Sequence, residues 1–342
     1  MSGGERKRGP GPGTSLALAG GALLLLAVLS VGVGSTTVGF GDALRIVAWK
    51  FAGAGDPSPS TAAIVWDIRL PRTVLALLVG GSLAVAGVLM QAFFRNALAG
   101  PFVVGVSSGA AFGAVLAMVL GWDFVILGIS SLPLAAFAGG LGVILLVVAI
   151  HGRGHGSPVE SLLLTGLAVG SILSAAASLV MVTSQEPLQA ILFWLLGSLS
   201  SARWLHVASV LPFFLVAGTA AWLLARDLDV LVWGDDTSRA LGISVRRVRV
   251  LVLVIATLLA SAAVAVSGII GFLGLMTPHI ARFLVGASHR RLIPMSLILG
   301  ASLLLAADMG ARTLWAPVEL PIGAVTALVG APFLAYLANR RG

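Results

Sequence analysis

The chain has 342 residues, of which 58% are hydrophobic and only 10% charged, with a mean hydropathy of +1.06. A soluble domain cannot hide that much apolar surface, so lipid is the expected solvent. The absence of cysteine excludes disulfides, thiolate metal sites and cysteine nucleophiles, and the net charge of +8 does not point to nucleic acid, because the basic residues fall between apolar runs.

Residues 1–14 (MSGGERKRGPGPGT) read as a disordered basic tail. A bilayer core takes about twenty helical residues per span. Spans are predicted near 15–35, 73–94, 103–121, 132–150, 160–183, 205–225, 248–267, 270–285, 292–311 and 321–338, ten in all. The first reads as an anchor rather than a signal peptide, because its apolar core is long and no clear cleavage site follows. Before the second span, Arg69 and Arg72 flank Leu70 and Pro71, and proline suits a helix start because it needs no amide partner there. Two such arginines are ordinary snorkelling anchors on bare sequence. Gln91, Arg95 and Asn96 end the span.

Ser171, Ser174 and Ser178 follow i, i+3, i+7 spacing on the fifth span. They either line a weakly polar path or bond back to their own carbonyls. Ile191–Ser200 is too short to cross and reads as an interfacial or re-entrant helix. The run from Leu251 to Gly286 is too long for one helix, and Gly268, Gly271 and Gly274 mark the break. Asp308 with Arg312 one turn later reads as a helix-end pair.

With the N-terminus inside, fifteen Lys and Arg fall on the cytoplasmic side and six outside, which places both termini in the cytoplasm. Ion-coupled transport usually needs carboxylates or histidines inside the spans, and these are nearly absent. The only lysines, Lys7 and Lys50, follow no phosphate-loop pattern, so active transport requires energy from another subunit. His151 and His155 have i,i+4 spacing, but their flanking glycines favour a loop over a metal site. His279 and Arg282 read as helix-end packing. No grouping suggests catalysis.

Residues 226–249 (RDLDVLVWGDDTSRALGISVRRVR) are more than a linker needs. SRALG is expected to form a short helix, with Asp236 or Thr237 as N-cap and Gly242 as its stop. On spacing alone this segment either fills a partner groove or lies on the lipid headgroups.

The stretch WDIRLPRTVLALLVGGSLAVAGVLMQAFFRNALAGPFVVGVSSGAAFGA (66–114) resembles the membrane permease family of type II ABC importers for iron–siderophore, haem and cobalamin. So do the blocks SGIIGFLGLMTPHIARFLVG (267–286), HRRLIP (289–294), AADMGAR (306–312) and ELPIGAVTALVGAPFLAYL (319–337). The resemblance runs from Ile68 to the end. It implies an all-α, ten-span fold forming one permease domain over 15–342, with 226–249 as the coupling segment for the ATPase. It also implies a homodimer or paralogue heterodimer in the cytoplasmic membrane, two ATP-binding subunits carrying ATP–Mg, and an extracytoplasmic binding protein.

By the same resemblance Arg69, Arg72 and Arg312 meet carboxylates of the binding protein. Gly234, Asp235, Arg239, Ala240, Leu241 and Gly242 dock on the ATPase, Asn96 and Leu98 close a cytoplasmic gate, and the serine stripe lies beside the pathway. Ala97 and Gly100 depart from the family's usual proline and acidic residue, which implies a less rigid gate turn. Iron chelates are the expected cargo and cobalamin the alternative. Two readings from other classes stay in view: a secondary transporter driven by ions, and a membrane protein with no cargo.

Overall fold

A computed structural model describes residues 11–34, 39–52, 58–151, 158–184 and 188–339. The first ten residues of the expected tail and the HGRGH loop after His151 lie outside these. Helices α2 (Phe40–Ala52) and α3 (Pro59–Ala63) follow α1 (Pro12–Gly32), and α4 is Leu70–Phe94. Next come α5 (Val106–Val119), α6 (Ser131–His151), α7 (Pro158–Thr183), α8 (Leu188–Leu195) and α9 (Trp204–Leu223). The polar segment holds α10 (Ala225–Leu231) and α11 (Asp235–Ala240), and the chain closes with α12 (Val245–Ser267), α13 (Leu273–Val285), α14 (His289–Thr313) and α15 (Ile322–Asn339).

Seven described helices are long and apolar enough to cross a membrane, counting 59–94 as one rod. Three shorter apolar helices, at 106–119, 273–285 and 322–337, complete a set of ten at the predicted positions. The chain is thus a multi-pass membrane protein. Among the described residues its β structure is one hairpin between α5 and α6, pairing Val125 with Ser130 and Ile126 with Ile129. Leu127 and Gly128 at its tip both have positive φ, the conformation that a two-residue turn requires.

Helix α4 is buried along nearly its whole length and packs against α9, α12, α13 and α14. It is apolar all round, as a central helix should be. Small residues allow that centrality: a methyl group on Gly80 would collide with the backbone of Gly300, and one on Gly87 with that of Gly274. Helices α1, α7 and α9 are mostly exposed on their apolar faces, which lipid or another copy would cover.

Two predicted boundaries move. Helix α1 takes in residues 12–14 of the expected tail, since Pro12 tolerates the first turn. The second span starts earlier, because a π-helical segment (Ile64–Arg69) joins α3 to α4, with the Leu70 amide donating to the Val65 carbonyl.

The break after α12 falls where the glycines predicted it. Non-helical backbone at membrane depth must be satisfied by protein, and here it is: the Ser198 amide donates to Ser267 O at 2.8 Å. Nearby, the Ile322 amide donates to Gly197 O at 2.9 Å. The break, the end of α8 and the start of α15 therefore meet.

Candidate functional site

Two charged clusters stand at opposite ends of the bundle. At the first, α1 ends with carbonyls that have no helical partner. Arg69 Nη1 donates to Val31 O at 2.9 Å and Gly32 O at 2.8 Å. Arg312 Nη2 donates to Ser30 O at 3.0 Å and Ser30 Oγ at 2.6 Å, and Ser30 Oγ also meets Thr73 Oγ1 at 2.9 Å. Cations at a helix C-terminus complement its dipole.

Arg72 Nε donates to Asp308 Oδ1 at 2.8 Å, and its Nη1 reaches both oxygens of Glu319 at 3.0 Å. The anticipated i,i+4 pair of Asp308 and Arg312 is present at 3.4 Å, but Arg72 shares the carboxylate. The three arginines are turned inward, 4%, 5% and 5% exposed for Arg69, Arg72 and Arg312. They are not snorkelling anchors: the chain's own carbonyls and carboxylates engage all three guanidinium groups. In this cluster it is Glu319, its side chain 41% exposed, that opens to the surface.

The second cluster joins the turn after α4 to the polar segment 226–249. Arg95 caps α4 with φ 50 and ψ 33. The Asn96 amide donates to Gln91 O at 3.1 Å and the Arg95 amide to Ala92 O at 3.3 Å, a helix stop whose left-handed position usually carries glycine. Asn96 Oδ1 accepts from the Leu98 amide at 2.8 Å. This bond closes an Asx-type turn around Ala97. Gly100 is buried against Leu275.

Across from this turn, Asp235 Oδ1 pairs with Arg95 Nη2 and accepts from Arg249 Nη2 of α12 at 2.7 Å. The Arg95–Asp235 pair is partly exposed, and such pairs contribute only about 0–1 kcal/mol. A non-glycine residue in the left-handed region costs about 1–2 kcal/mol. Stability therefore does not explain an arginine at this position.

The polar segment is two short helices, where the sequence predicted one. Gly234, at φ +113, is the N-cap of α11, and Asp236 and Thr237 fall inside the first turn. Acidic Asp235 and Asp236 suit that end of the dipole. Gly242 is the stop, at φ +81, with the Ile243 amide reaching back to Ser238 O at 2.9 Å. Arg239 pairs with Asp236 at 3.0 Å. Val232, Trp233 and Leu241 are exposed, Trp233 by 79% and Leu241 by 63%. Ala240 lies beside them at the end of α11.

Sequence reasoning missed Asp229, which accepts from the His289 amide at 2.8 Å and meets His289 Nδ1 at 2.6 Å, capping α14 from another element. It also missed Glu319, Arg249 and the role of Arg95, all partners distant along the chain.

The serine stripe of α7 is exposed. Ser171 Oγ donates to Leu167 O at 2.9 Å and Ser178 Oγ to Ser174 O at 3.0 Å, while Ser174 Oγ meets Ser108 Oγ at 3.1 Å. His279 packs edge-on against Phe283 and Phe333; it lies mid-way along α13 rather than at the helix end expected, while Arg282 is in the last turn.

The FecCD transport family model matches residues 22–340. The cobalamin import permease BtuC of Halobacterium salinarum is 43% identical over 284 residues, 83% of this chain and 75% of that protein. The hemin transport permease HmuU of Yersinia pestis is 37% identical over 330 residues, 95% and 96% of the two chains. A solved inward-facing conformation of a metal-chelate type ABC transporter matches with a TM-score of 0.84 at 32% identity, covering 96% of this chain and 99% of that one. By family model, relatives and fold alike, the chain belongs to the FecCD transport family, the membrane permease subunits of ABC importers.

Proposed function

We propose that this permease forms the translocation pathway for an iron chelate, a ferric siderophore or haem. It sits in the cytoplasmic membrane with both termini inside, as a pair of copies around a central path. Two separate subunits bind ATP–Mg, and an extracytoplasmic binding protein delivers cargo; this chain performs no covalent chemistry. Residues 15–342 form one domain, with 226–249 as its coupling segment.

The observation that carries the reading is the exposed apolar group of Val232, Trp233 and Leu241, held on two short helices by Gly234, Asp235, Arg239 and Gly242. A membrane protein with no soluble partner gains nothing by holding Trp233 out in water, whereas a groove on an ATPase subunit would bury it. Asn96 and Leu98, beside that segment, are the proposed gate, and Ser171, Ser174 and Ser178 the pathway lining. At the other end a binding protein's carboxylates would reach Arg72 by displacing Glu319, with Arg69 and Arg312 holding the cluster in register.

The 43% identity to a cobalamin permease favours cobalamin as the second reading. Uptake into proteoliposomes containing the permease, its ATPase and its binding protein decides between them, with labelled ferric siderophore, haemin and cobalamin as probes. ATP-dependent accumulation of an iron chelate is expected. Accumulation of cobalamin alone would replace the cargo, and ATP-independent uptake that collapses with an ionophore would replace the class.

A further inference from the structure

Within one cluster the structure sets a conformational outlier, a shared carboxylate oxygen and the proposed gate side by side. Arg95 occupies a left-handed position that glycine would fill without strain. Its guanidinium reaches the first residue of α11, Asp235, whose same oxygen is held by Arg249 of α12. The next residue, Asn96, organises the turn that presents Leu98, 52% exposed. On its other side the end of α4 is fixed, with Gln91 buried and its amide aimed at the carbonyls of Gly274 and Leu275 at 3.5 and 3.4 Å. A residue in a strained conformation that adds no stability is a pointer to function.

We infer that Arg95 is a positioning residue: its bridge to Asp235 transmits movement of α11 directly to the 95–98 turn. Arg95 and Asp235 are 140 positions apart in the chain, so without the bridge a displacement of α11 reaches the turn only through the packed helices. Arg249 anchors the same oxygen to α12, making Asp235 the joint of three elements. The inference rests on the reading of 226–249 as the ATPase-docking segment and of Leu98 as a gate residue.

The test uses the permease assembled with its ATPase subunits and takes advantage of a chain without cysteine. Leu98→Cys places one thiol on the turn, and its labelling rate by a water-soluble maleimide, with and without ATP, is read on the permease band. In this single-thiol parent, ATP should change that rate. Adding Arg95→Gly removes the bridge while giving the turn its preferred residue, so a purely structural role predicts an unchanged or firmer protein with the response intact.

The inference predicts retained assembly, thermal stability and ATP turnover, with the ATP-dependent change in labelling reduced about tenfold and partly restored by Arg95→Lys. An undiminished response in Arg95→Gly overturns it. Loss of ATP turnover together with the response also overturns it, because Asp235 would then shape the docking surface and not the transmission. A Leu98→Cys parent whose thiol ignores ATP refutes the gate reading itself, and with it the inference. Trp233→Ala, scored only for ATPase retention, tests the docking reading separately.

Discussion

The two charged clusters are built from the same residue types and obey opposite rules. Around Asp308 the side chains of Arg72 and Arg312 are only 6% and 5% exposed, and the carboxylate is fully buried. Around Asp235 the side chains of Arg95 and Arg249 are 36% and 13% exposed, and the carboxylate 26%. The first cluster seals the end of α1 and joins α4 to α14 and Glu319. The second joins a turn, a surface helix and the start of α12, beside unburied Trp233 and Leu241. Similar pairs thus serve as a rivet where water is excluded and as an adjustable joint where it is not. Exposure, rather than residue identity, separates the two.

The largest effect should come from removing the shared buried carboxylate. Asp308→Leu leaves buried Arg312 without its carboxylate and Arg72 with Glu319 alone, which should cost about 3–5 kcal/mol. Asp235→Leu, in the partly exposed cluster, should cost no more than about 1 kcal/mol. Thermal unfolding in detergent, followed by the fluorescence of the eight tryptophans, measures both. Equal losses would break the comparison.

The second effect is on association. Replacing Trp233 and Leu241 by alanine removes exposed apolar groups that make no core contact, so stability should stay within about 0.5 kcal/mol. Affinity for the ATPase subunit should fall by about 2 kcal/mol or more, as for an aromatic anchor in a partner's pocket. Co-purification and titration with the isolated ATPase read this directly, and unchanged affinity would assign the exposed face to lipid headgroups.

A smaller change sharpens the cluster around Asp308. Glu319→Gln removes the charge of the one carboxylate there that reaches the surface, while Arg72 keeps Asp308. Stability should drop by about 1 kcal/mol or less. If a docking protein's carboxylates must displace Glu319, its affinity for the permease should rise several-fold, and calorimetric titration checks it. A fall would place Glu319 itself in the docked contact.

Much of this architecture was legible because lipid enforces a simple code. All ten apolar helices stand where runs of about twenty residues and their glycine breaks placed them, and Gly268 ends α12 where the pattern required. Turn chemistry was legible too, as Gly242 shows. What could not be read was pairing across the chain. Nothing in spacing links Arg72 to Asp308 and Glu319, Arg95 to Asp235, or Asp229 to the start of α14, because these contacts depend on helix packing angles. Burial was misread for the same reason: an arginine at a span end looks like a surface anchor until the carbonyls at the end of α1 are seen beside it. The second short helix, α10, escaped notice because its apolar residues alternate with aspartates over only seven positions.

The smallest effect concerns the stripe on α7, and it tests how a conduit can be polar without being sticky. Ser171 and Ser178 already spend their hydroxyl protons on carbonyls one turn back, so they offer a passing cargo only acceptor lone pairs. Serine-to-alanine changes at these two positions should leave stability within about 0.5 kcal/mol and uptake rates close to the parent's. Ser174 differs, because its hydroxyl joins α7 to Ser108 of α5, and its removal should loosen that helix pair slightly more. Size should matter where hydrogen bonding does not. Ser178→Phe puts a ring on an exposed position, and if that face lines the path, uptake should fall while ATP turnover persists. Full uptake by the Ser178→Phe variant would turn the face toward lipid and leave the three serines a purely local role.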